Sequence, residues 1–136
     1  MNTTMQNTMN SVLASEQARQ RREAEMLLAQ EVERIMYEHQ EQEGLHWKGT
    51  SIDLMEALHV AYDTGMIQDE WGVCLRFSTI VNRVCHVLHV TPPRNPYECA
   101  SRGRRRKGMQ QRTFLERYQL LMKRMNNPMW GKIGKE

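Results

Sequence analysis

Seven cationic side chains, Arg94, Arg102, Arg104, Arg105, Arg106, Lys107 and Arg112, crowd the stretch between positions 94 and 112. Guanidinium groups at this density suit one kind of chemistry. They bind polyanions through charge-assisted hydrogen bonds, and an arginine fork can grip both acceptors on a guanine edge. Residues 94–136 carry twelve Lys or Arg and three acids, whereas residues 1–46 carry four Arg and eight Glu. The formal charge of +3 therefore conceals a strong segregation, and segregated charge sets up a local field where an even scatter would mainly favour solubility.

Such a cluster must be held by a frame, and the punctuation of the chain describes one. Asn95 before Pro96 predicts a helix start, with a side-chain acceptor at the cap and a preset φ at the first helical position. On that helix Arg102, Arg105 and Arg106 share a face, with Arg104 and Lys107 flanking it. Gly103 lowers the helix propensity, and Gly108 ends the element or opens a loop. A last helix from about Thr113 carries Phe114, Tyr118, Leu121, Met122 and Met125 as its stripe, and stops at Asn126, Asn127 and Pro128.

Upstream, residues 1–10 are polar and predict a disordered leader. From Ser11 to Gly44 the residues are mostly good helix formers, without an internal Pro or Gly. Ala24, Leu28, Val32, Ile35 and His39 form the stripe of this long acidic helix, widened by Leu27 and Met36, and Gly44 suits its C-terminal end. The stripe packs either on the helix's own domain or on a second copy. Thr50 and Asp53 make a short capping box for a helix bearing Leu54, Met55, Leu58, Ala61 and Tyr62, closed by Gly65. Leu45 and Trp47 precede that cap, and Trp47 reads as core. Asp69 predicts the cap of a helix reaching about Leu88, with Val73, Phe77, Ile80, Val84 and Val87 on one face, and Pro92 and Pro93 end it. The tail 128–136 has two Gly and is expected to be flexible, with Met129 and Trp130 able to dock on the last helix.

Three helices at 45–127, a proline-bearing turn before the third and cations concentrated on the third match the layout of a helix-turn-helix reader of duplex DNA. The fold expectation is all-α, or mostly α: a helix-turn-helix or winged-helix-like domain preceded by one long N-terminal helix, with a small wing in the 107–112 loop. Leu45, Trp47, Gly49, Asp53, Leu54 and Glu56, and further on Leu58, Tyr97, Arg106, Lys107, Arg112, Thr113, Phe114, Leu115, Leu121 and Met125, add a resemblance. This pattern is similar to the C-terminal part of RteC-family proteins of bacterial conjugative transposons and covers Leu45 to Met125. The resemblance implies a winged-helix DNA-binding domain and control of genes for element excision and transfer.

Other chemistries are poorly served. Cys85, His86, His89 and Cys99 have no common zinc spacing, and Cys85 falls on an apolar stripe, so neither a metal nor a cofactor is expected. There is no glycine-rich phosphate loop and no nucleophile elbow; a Cys85 dyad with His59 or His86 has no support from spacing, and no catalytic residue is assigned. Three cysteines, no run of about 18 apolar residues and no leader of the secretory type point to a cytoplasmic protein outside the membrane. The expected function is duplex DNA binding by a transcriptional regulator or accessory protein of a mobile element, with a homodimer through the N-terminal helix as a further partner. The alternative is a non-catalytic adaptor of a conjugation or phage-like system, docking through the acidic N-terminal helix.

Overall fold

A computed structural model describes residues 3–105 and 112–135, with side chains from residue 8. Among these residues the chain is mostly helical: α1 (Thr3–Glu38), α2 (Ser51–Asp63), α3 (Phe77–Val87), α4 (Pro96–Arg104) and α5 (Phe114–Met122). Two short strands, β1 (Leu45–Trp47) and β2 (Ile133–Lys135), complete it. Helix α1 starts at Thr3, inside the stretch expected to be a leader, because nothing between Thr3 and Glu38 breaks a helix. It ends before Gly44, which lies beyond a single 3-10 turn at Glu41–Glu43 and takes the left-handed φ of 71°.

Among the residues of α1 whose side chains are described, those of the C-terminal part are the packed ones. Ala24, Leu28, Val32 and Ile35 are buried, as the stripe predicts, against α2, α3 and α5. Helix α2 begins as expected: the Thr50 hydroxyl accepts from the Asp53 amide at 3.1 Å. Trp47 is buried, donates its indole N–H to the Thr50 carbonyl at 2.9 Å and packs beside Phe114. Gly49 lies so close beneath the indole that a Cβ would fall 2.8 Å from its nitrogen.

The third helix is shorter than its sequence suggests. Asp69 caps no helix; its carboxylate accepts from the Trp71 and Val73 amides, holding a tight turn in which Gly72 takes a φ of 80°. A bridge between Gln68 and Cys74 closes that turn, and Val73 is exposed. The glycine and the Asp69 turn together outcompete early helix, so α3 starts only at Phe77. From there Phe77, Ile80, Val81, Val84 and Cys85 are buried, and α3 packs against both α1 and α2, as its wide apolar face requires.

The tail departs most from expectation. β2 pairs antiparallel with β1, in the register Leu45 with Lys135 and Trp47 with Ile133. Met129 is wholly buried. Its amide and that of Trp130 donate to the Glu31 carboxylate at 3.1 and 2.9 Å, and the Tyr118 hydroxyl donates to the same group at 2.5 Å. Trp130 stacks on His39 at 4.7 Å between ring centroids. One buried acid on α1 thus fastens both α5 and the segment leading to β2. The two strands are formed by Leu45–Trp47 and Ile133–Lys135, outside the 107–112 loop where a wing was expected, and residues 106–111 of that loop lie outside the described residues.

Glu31→Ala would leave three donors facing a buried gap, each worth roughly 1 kcal/mol or more. The expected result is a loss of about 3 kcal/mol in urea denaturation, together with faster amide exchange at Ile133–Lys135.

Candidate nucleic-acid interface

Helix α4 opens as its sequence dictates. The Asn95 side chain accepts from the Glu98 amide at 3.1 Å, and Pro96 occupies the first turn. Its inner face is narrow, with Ala100 and Gly103 buried against α2. Gly103 is needed for this approach: a Cβ there would stand 2.4 Å from Glu56 Oε1. The helix therefore lies close on α2 and turns its long side chains outward.

Arg102 and Arg105 project from it with 65% of each side chain exposed, and both lie near Glu98, at 3.6 and 3.0 Å. Arg104 pairs with Asp63 at 3.2 Å. Ion pairs this exposed contribute about 0–1 kcal/mol each, so phosphate oxygens can replace these acids as partners. Arg94 and Arg112 are also exposed. Thus Arg102, Arg104 and Arg105 come together on one helix, Arg94 precedes its start and Arg112 stands just ahead of α5. Arg106 and Lys107 lie outside the described residues.

Arg117 behaves differently. Its guanidinium grips the mostly buried Asp53 carboxylate through two hydrogen bonds of 2.6 and 3.0 Å. It also donates to the Arg112 carbonyl at 3.3 Å. This bidentate pair ties the start of α2 to α5 and fixes the downstream end of the basic segment; the guanidinium itself is engaged.

Glu56 is buried on α2 between the two ends of that segment. One oxygen accepts from the Leu115 amide at 3.3 Å, while Oε1, beside Gly103, has no hydrogen-bond partner. Burial pushes its carboxyl above the usual range, and the Leu115 and Phe114 amides pull it partly back. Glu56, Glu31 and the Asp53–Arg117 pair were not singled out as a set by the sequence. The available signal was an acid standing inside an apolar period, as Glu31 does between Leu28 and Val32.

The remaining candidates are dispersed. Cys85 is buried, which raises its thiol to about 11 and keeps it protonated at neutral pH. His86 is exposed beside Glu41, and His89, at a left-handed φ of 56°, bonds the Leu45 carbonyl. Among the described residues no group of His, Cys, Asp or Glu has a metal-binding arrangement. No described helix is long and apolar enough to cross a membrane.

No family model, curated protein or solved structure matches this chain.

Glu56 yields a test of the frame. The folded chain keeps this proton above the pH at which the unfolded chain releases it, so folding takes up protons in that window. The contribution of Glu56 to stability is therefore fully present below the ordinary glutamate range, is lost as pH rises through the raised folded value, and levels off beyond it. Glu56→Gln should flatten that decline in denaturant titrations run across a pH series; an unchanged slope would assign it to other groups.

Proposed function

We propose that this protein binds double-stranded DNA, through α4 and the basic segment that follows it. The observation that supports this reading is the pair of outward-facing guanidinium groups of Arg102 and Arg105 on a helix seated on α2 through Ala100 and Gly103. An α-helix with its side chains is about 10–12 Å across, and the major groove of B-DNA is about 12 Å wide. Arg102, Arg105 and Arg106 are assigned to the groove, and Arg94, Arg104, Lys107 and Arg112 to the phosphate backbone.

The resemblance to RteC-family proteins supports the finer reading: a helix-turn-helix or winged-helix regulator, or an accessory protein, of a conjugative mobile element, acting in the cytoplasm. In that reading α4 serves as the recognition helix and α2, on which it is seated, supports it from behind. The exposed N-terminal half of α1 favours a second reading, a protein-interaction adaptor.

Retention on heparin and duplex binding at rising salt separate the two. With the four backbone contacts assigned above, the logarithm of the binding constant should fall with the logarithm of salt at a slope of about −3.6. Arg102→Ala combined with Arg105→Ala should reduce duplex affinity roughly tenfold or more and relax the base preference while changing that slope little, leaving the melting temperature nearly unchanged. Unchanged affinity would remove α4 from the interface, and weak heparin retention would select the adaptor.

A further inference from the structure

From Thr8 to Glu23 every residue of α1 is exposed except the partly buried Glu16. This half continues the packed half as one helix, with its side chains open to solvent. Met9, Val12, Glu16, Arg19, Glu23 and Met26 recur at alternating spacings of three and four and form one stripe. At 3.6 residues per turn the stripe lies roughly 130° round the helix from the buried Ala24, Leu28 and Ile35. Its apolar members are open to solvent: Met9 and Val12 are each 62% exposed and Met26 is 43% exposed. Arg19 has only neighbours on its own helix, Glu16 and, at 2.6 Å, Glu23.

We infer that the occupant of this stripe is a second copy of the chain, with the two α1 helices antiparallel about a two-fold axis between positions 17 and 18. The order of residue types selects the orientation. Under that axis Met9 meets Met26 of the second copy, Val12 meets the stem of Glu23, and Glu16 meets Arg19, each layer occurring twice. A parallel, in-register pair would instead set Glu16 on Glu16, Arg19 on Arg19 and Glu23 on Glu23, and like charges placed so cost several kcal/mol. The spacing is that of a short coiled-coil seam, in which charged core positions set register and orientation at some cost in stability. The stripe lies off the buried face, with Glu23 and Met26 at its C-terminal end bordering α5 and the end of α2. The two-fold makes the contact isologous, one patch serving both copies.

This inference is independent of nucleic acid, and sedimentation equilibrium of the full chain at rising concentration tests it. The natural chain should form a dimer. Glu16→Arg and Arg19→Glu, each alone, should weaken self-association by roughly tenfold or more, since each sets like charges opposite one another. An equimolar mixture of the two variants should associate again, because the mixed pair sets two cations against two anions. Neither variant retains its own Glu16–Arg19 pair, so recovery in the mixture reports on the contact between copies and not on helix content. A natural chain that stays monomeric, single variants that associate as it does, or a mixture that stays apart would each overturn the pairing. Duplex binding by a monomer would do so without touching the reading of α4.

Discussion

The carboxylate of Glu31 is the constraint from which the arrangement of this domain follows. A buried anion is costly unless its hydrogen-bonding capacity is used. Glu31 uses it on three donors from two elements: the Tyr118 hydroxyl of α5 and the amides of Met129 and Trp130. Those bonds set where α5 crosses α1 and bring the following chain back to pair with β1. With α5 placed, Arg117 reaches Asp53 at the start of α2. Two charge-based fastenings, set on α1 and α2, therefore determine where the basic segment leaves and re-enters the body.

Acids play opposite parts in the two halves of the molecule. Asp53 and Glu56 on α2 face inward and hold the stretch after the arginine run, through Arg117 and Leu115. Glu98 and Asp63 lie at the surface and only neutralise part of its charge. The first pair acts on geometry and the second on field strength. A guanidinium already held by a buried carboxylate, as in Arg117, contributes little to a polyanion site. Counting cations along the sequence thus overstates the free charge, to which the exposed Arg102 and Arg105 still contribute.

Local signals carried the elements well. The Thr50, Asn95 and Thr113 caps start helices where side-chain acceptors precede an apolar period, and each makes its expected bond to an amide three residues on. Periodicity likewise identified the buried face of α3. What escaped the sequence depends on partners far along the chain. Nothing local tells that Glu31 will meet Met129, or that Ile133 will lie beside Trp47, and a three-residue strand is too short to show alternation. The Asp69 turn misled for a different reason: an aspartate satisfies turn amides as well as helix amides, and Gly72 decided between them. The seven cations were legible as a cluster because charge is read by type; the pairing of Arg104 with Asp63 was not, because it needs the crossing of α4 over α2.

The bond from Met129 to Glu31 spans 98 residues, so everything between α1 and the terminal ladder forms a single large ring closed by one latch. The entropic penalty of closing a ring grows only with the logarithm of its length, and a few residues more or less in the Arg-rich connection would change it by very little. The framework can therefore accept connections of different length and composition ahead of Thr113 while its own fastening stays the same, as an interchangeable bit is held in a fixed chuck.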